Sequence, residues 1–280
     1  MPVLLRPLSL GELLDRAFQL YRSRFAVFAG IAAVAYIPLF VLRTALLWLP
    51  QTPSISQLLA TGLGMVLAGI CQMLALAAAA AATIIVVSAA YLDRPITLRE
   101  AYGRVSGMLL RVFLIMFGSG IAIGIGLVLF IVPGVILFLM FALAIPVAVL
   151  EDAGFGESLS RSRELTAGHR FRVFAIYLLY FTLVLALDVG LLAPLGALVA
   201  LTKGPAGLAT VSPLVAVASI IVNYLVECLL TPVVTICLSL MYYDERVRKE
   251  AFDIQIMMNA LGEGAPASVA GASSNASSLV

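Results

Sequence analysis

A chain of 280 residues that is 62% hydrophobic and only 11% charged is not a soluble domain, where about a quarter of the residues carry charge. The length suits one helical bundle and leaves no room for a sizeable catalytic domain beside it. The formal net charge of +2 says little by itself, because the basic residues are segregated in a way that suits anionic lipid headgroups, and no nucleic-acid partner is expected.

Residues 1–24 hold Arg6, Arg16, Arg22 and Arg24 together with Glu12 and Asp15. Acids in that stretch, and an over-long apolar run after it, argue against a cleavable signal and for an amphipathic helix on the cytoplasmic side. Apolar spans then follow at 25–49, 58–92, 107–132, 133–150, 171–201 and 211–243. Each is long enough to cross a hydrocarbon core of ~30 Å, the fourth only just. The second span is long enough to tilt or to extend past the bilayer. Pro133-Gly134 reads as a breaker that folds the third and fourth spans into a tight hairpin.

All but two of the seventeen Lys and Arg residues fall in segments that six spans place on one side; the exceptions are Arg43 and Lys203. The positive-inside rule therefore predicts a multi-pass protein of the bacterial inner membrane, 25–243 forming the bundle, with both termini cytoplasmic. Beyond it, 244–261 reads as a cytoplasmic interfacial helix. The stretch 262–280 is rich in Gly, Ala and Ser and reads as a disordered tail. The predicted fold class is all-α.

A similar polar layout precedes the first, third and fifth spans. Ser9-Leu10-Gly11-Glu12 and Thr97-Leu98-Arg99-Glu100 are capping boxes, and Gly154-Phe155-Gly156-Glu157 keeps the glutamate. An arginine follows each glutamate by four residues, pairing Glu12 with Arg16, Glu100 with Arg104 and Glu157 with Arg161 on cytoplasmic helices. Phe25, Phe113 and Phe171 then mark the membrane boundary. The chain thus reads as three units, each a short amphipathic helix and a transmembrane hairpin, in parallel orientation. A mitochondrial-carrier reading fails, because Pro38, Pro133 and Pro194 lack the acid and base that motif needs.

Three charges lie inside spans: Arg43, Asp188 and Glu227. Each costs ~2.5–3.5 kcal/mol at the bilayer centre on insertion scales, so partners are expected. Helix counting places Arg43 and Asp188 in the outer half, as an ion pair between spans one and five. Glu227 shares a helix face with Asn223, with Gln72 as a further partner and Pro232 just beyond. Gly118, Ala122 and Gly126 have the small-residue spacing of close helix packing. Cys71, Cys228 and Cys237 sit in apolar spans, and His169 has no companion ligand, so neither a metal nor another cofactor is expected. Glu151 and Asp152 read as a solvated helix end, and no nucleophile has a base at hand.

The stretch Pro7 to Phe18, with Tyr21-Arg22, resembles the opening of bacterial proteins of the glycerophosphoryl diester phosphodiesterase membrane-domain family. Ala144-Ile145-Pro146-Val147, the segment Glu157 to Thr166, and Tyr242 to Glu250 are similar too. The resemblance implies a multi-span membrane module without the catalytic barrel of its namesakes, so no catalytic residue carries over. The expected function is a non-catalytic scaffold or partner-binding module near lipid metabolism, contacting anionic headgroups and a membrane or cytoplasmic protein. The alternative is a small transporter or lipid-handling protein using the intramembrane polar residues.

Overall fold

The computed structural model describes residues 8–48, 55–91, 94, 96–203 and 213–263. Among them there is no strand. The helices are α1 (Leu10–Ser23), α2 (Phe25–Leu47), α3 (Ile55–Tyr91), α4 (Leu98–Val105), α5 (Leu109–Leu129), α6 (Ile131–Met140), α7 (Ala144–Leu150), α8 (Phe155–Thr166), α9 (Arg170–Lys203) and α10 (Pro213–Glu263). Six segments are long and apolar enough to cross a membrane, α6 and α7 together forming the fourth. α10 continues unbroken past the apolar stretch, and the Gly, Ala and Ser tail from 264 onward lies outside the described residues.

Local chemistry explains the three short helices. Ser9 Oγ accepts from the Glu12 amide at 3.3 Å while the Ser9 amide donates to Glu12 Oε2 at 2.9 Å. Thr97 and Glu100 repeat this at 3.3 and 3.0 Å. At Gly154 only the backbone half exists, the amide donating to Glu157 Oε2 at 3.4 Å. Each helix then buries the residue after its glutamate and the one four further on: Leu13 and Ala17, Ala101 and Val105, Ser158 and Ser162. Positions four apart share one helix face, so each short helix docks by the same edge.

The turn between the third and fourth spans is not at Pro133-Gly134. Phe130 takes the extended conformation (φ −155°, ψ 137°) and breaks the chain, while Pro133 lies in the first turn of α6. There its missing N–H costs nothing, because the first amides of a helix have no intrahelical acceptor. Gly134 serves close approach instead. A Cβ on it would lie 2.5 Å from the backbone nitrogen of Leu127, and one on Gly126 would lie 3.0 Å from the Gly134 Cα.

The fourth span is itself interrupted at 141–143. Pro146 cannot donate to the Ala142 carbonyl and its ring crowds that group, which stops a continuous helix. Backbone groups freed within a bilayer need protein partners. Ser162 on α8 supplies them: its Oγ donates to the Met140 carbonyl at 2.7 Å and accepts from the Leu143 amide at 3.1 Å, while Thr166 Oγ1 donates to the Ser162 carbonyl at 2.9 Å.

Packing is strongly lopsided. At the end carrying the short helices, the alanine-rich half of α3 (Ala75 to Ala89) is surrounded by Phe28, Ile31, Val112, Leu143, Val173, Ile236 and Met241. Small side chains let neighbouring helices approach an axis closely. At the far end almost nothing is buried. Past Leu39 on α2, Ile115 on α5 and Ile176 on α9, and before Ala75 on α3 and Val226 on α10, the buried described residues are Gly64 and Gly126. Both sit inside a hairpin, Gly64 under Leu46 and Gly126 against Gly134. The hairpins α2–α3, α5–α6 and α9–α10 therefore converge at the basic end. Towards the other, α9 and the α5–α6 pair leave most of their side chains uncovered by the rest.

Candidate functional site

Two polar assemblies stand out. The first lies where the closed half of the bundle gives way to the open half. Arg43 Nη2 donates to Gln72 Oε1 at 2.9 Å, and Arg43 Nη1 stands 3.7 Å from Glu227 Oε1. The partner of Arg43 is thus Glu227 rather than Asp188. The reason is helix order: α2 packs along α10, while α9 packs along the same α10 and against α6, so Asp188 is not carried to Arg43. Oδ1 of Asp188 is buried and has no hydrogen-bond partner. The Asn223 amide turns back to the Ser219 carbonyl at 2.8 Å and does not join Glu227. Below these groups the Tyr36 and Thr231 hydroxyls meet at 3.4 Å, joining α2 to α10.

The second assembly is a charged collar at the basic end. Asp244 accepts from the Leu8 amide at 2.7 Å, from Arg172 Nη1 at 2.7 Å and from Arg248 Nε at 3.0 Å. Arg172 also reaches Glu245 Oε1 at 2.9 Å, and the Leu8 carbonyl accepts from Arg172 at 3.0 Å and Arg248 at 2.6 Å. His169 Nδ1 lies 2.8 Å from Glu245 Oε2, close enough for an ion pair though not aligned as a hydrogen bond. The Asp244 and Glu245 side chains are 1% and 0% exposed. The collar binds the start of α1, the start of α9 and the charged part of α10 into one unit.

Glu151 and Asp152 do not form a solvated pair. Glu151 accepts the Tyr242 hydroxyl at 2.6 Å and faces Arg161 at 3.6 Å. Asp152 is exposed, has a positive φ of 57° that Asp tolerates, and pairs with Arg111 at 2.5 Å. Among the six helix residues read as i,i+4 pairs, Arg104 acts electrostatically on Glu100, whereas Arg161 reaches Glu151 and, at 3.8 Å, Glu164. Arg16 acts electrostatically on the Tyr91 phenol. The carboxylates of Glu12, Glu100 and Glu157 each accept from the amide of the cap residue. Thr97, through its amide and its hydroxyl, holds the Glu100 carboxyl below the usual carboxylate range. Among the described residues no three His, Cys, Asp or Glu side chains are grouped so as to hold a metal ion.

The collar was missed in the sequence. Its one legible signal is the Asp244–Arg248 spacing of four; the partners Arg172 and Leu8 come from distant segments. Of the motifs carrying the family resemblance, Glu157 to Thr166 braces the broken fourth span, and Tyr242 to Lys249 builds the collar.

Six crossing helices around an alanine-rich core, with the described charges, Lys203 apart, confined to one end and a narrow belt, define a polytopic α-helical membrane protein. Residues 112–265, more than half of the chain, match the family described as the membrane domain of glycerophosphoryl diester phosphodiesterase, and the chain belongs to that family. The Pro7 to Phe18 motif lies outside the matched residues. No curated protein and no solved structure matches the chain.

Proposed function

We propose that the protein is a non-catalytic scaffold of the bacterial inner membrane, with both termini and the basic end cytoplasmic. One observation carries this reading: at that end the two acids of the collar are drawn inward, which leaves basic side chains in the majority among the charges outside, although Asp15, Glu100, Asp152, Glu157 and Glu164 are exposed as well. Asp244 and Glu245 are buried in the collar, whereas Arg22, Arg94, Arg99, Arg104 and Arg163 are exposed. The surface that remains is positive, and it suits anionic headgroups and an acidic face of a partner protein. The short helices that carry four of these arginines are capped and docked, as a presenting platform needs.

The test is native-nanodisc extraction followed by mass spectrometry, comparing the wild type with a triple Arg99→Glu, Arg104→Glu, Arg163→Glu variant. A scaffold keeps its melting temperature in the variant and loses a stoichiometric protein partner. A variant that retains every co-extracted protein in wild-type proportion refutes the reading.

A further inference from the structure

The collar carries the single histidine of the chain. His169 Nδ1 stands 2.8 Å from Glu245 Oε2, and neither atom has a hydrogen-bond partner among the described residues. The Glu245 side chain is 0% exposed, whereas that of His169 is 36% exposed and can exchange a proton with water. One side of the contact is therefore sealed in the protein while the other can change its charge. Histidine is the side chain that ordinarily does so between about pH 5 and 8.

The proton on His169 decides how Arg172 is divided. Asp244 and Glu245 are neighbouring buried carboxylates, and the guanidiniums in contact with them are those of Arg172 and Arg248. Arg172 is shared: its Nη1 donates to Asp244 at 2.7 Å and to Glu245 at 2.9 Å, and its Nη2 holds the Leu8 carbonyl at 3.0 Å. Arg248 is engaged by Asp244 and the same carbonyl. With an imidazolium at His169, Glu245 has a cation of its own, and Arg172 is left to Asp244 and Leu8. With a neutral imidazole, Glu245 has only its share of Arg172, and a buried carboxylate needs a compensating charge. The guanidinium is then drawn from Leu8 towards Glu245.

The groups acting electrostatically on Glu245 are His169, Arg172, Asp244 and Arg248. Charges on the adjoining elements are occupied elsewhere. Lys249 holds the Glu164 and Ala167 carbonyls at the end of α8, Glu151 meets Tyr242 and Arg161, and Arg246 donates to the Tyr242 hydroxyl.

We propose that His169 is a proton-operated latch on the amino-terminal end of α1. Protonated, it neutralises Glu245 and leaves Arg172 to clamp Leu8 onto α9 and α10; deprotonated, it loosens that clamp. Folding gives the imidazolium a carboxylate partner that the unfolded chain lacks, so the contribution is whole on the acid side and is lost as pH rises and the folded protein releases the proton. The latch stands whether or not the scaffold reading holds, because it involves none of the exposed arginines.

The full chain is placed in lipid nanodiscs with its histidine labelled, so that one imidazole signal is followed by NMR across this pH range. Hydrogen exchange gives the protection factor of the Leu8 amide over the same range, corrected for the chemical pH dependence of exchange. Protection is expected to fall about fivefold as the imidazole loses its proton, the size of one modest hydrogen bond or ion pair. The amides from Ala75 to Ala89, in the alanine-rich core, are expected to stay constant and so report an intact fold. His169→Gln is expected to hold Leu8 at the low value throughout, and His169→Lys, which keeps its charge, at the high one. Leu8 protection that does not follow the imidazole overturns the proposal. So does a pH dependence that survives in His169→Gln, which assigns the proton to Glu245 itself. A His169→Lys variant that behaves as His169→Gln also overturns it, because charge at this position then has no effect on the clamp.

Discussion

Replacing Asp244 by Asn tests whether the collar holds the basic end together. The carboxylate is 1% exposed and accepts three bonds, from Leu8, Arg172 and Arg248. A hydrogen bond to a charged group contributes about 1.5–3 kcal/mol net, and removing one partner of a buried ion pair costs about 3–5 kcal/mol. Asn keeps one carbonyl oxygen for the Leu8 amide but turns an NH2 towards a guanidinium. Arg248 retains the Leu8 carbonyl, and Arg172 retains that carbonyl and Glu245. The expected loss is therefore at the lower end, ~3 kcal/mol, read from reversible unfolding in mixed micelles. Hydrogen exchange supplies a local readout, because the Leu8 amide loses its charged acceptor and exchanges faster. Arg172→Gln should couple with Asp244→Asn by more than about 1 kcal/mol in a double-mutant cycle, since the two groups touch. A loss below 1 kcal/mol with an unchanged Leu8 exchange rate would refute the reasoning.

Ser162→Ala strands the Leu143 amide inside the broken fourth span and should cost about 1–3 kcal/mol, visible as a lowered melting temperature. Gly134→Ala forces a Cβ onto the Leu127 backbone, so the α5–α6 hairpin must open; the expected cost is about 1–3 kcal/mol. Cysteine pairs placed across that hairpin should then cross-link more slowly. Glu100 is held below its ordinary carboxylate range in the folded state, so its contribution is complete above the unfolded-state value and is lost as pH falls through the folded one. Protection of the α4 cap amides should fall in that acid window, and Glu100→Gln should remove the pH dependence.

The all-helical architecture and its six spans were legible because they rest on run length and composition, which a bilayer constrains severely. The caps at Ser9 and Thr97 were legible for the same reason of locality: donor and acceptor are three residues apart. Pairings between distant helices were not. Arg43 was matched to Asp188 by depth alone, and depth says nothing about the neighbours of each helix. The turn was assigned to Pro133-Gly134 because that pair breaks helices in general, yet the first turn of a helix accepts proline, and Phe130 does the breaking. The buried state of Asp244 and Glu245 was hidden because their partners, Arg172 and Leu8, are over seventy residues away and over two hundred away.

The two halves of the bundle meet the membrane differently. At the basic end helix covers helix, whereas at the far end α9 and α5 leave rows of apolar side chains exposed, Leu185 and Val189 on one and Ile121 and Ile125 on the other. In a bilayer acyl chains take that place, so lipid completes the packing of the far half. Detergent that strips this lipid is felt there before it reaches the alanine-rich core.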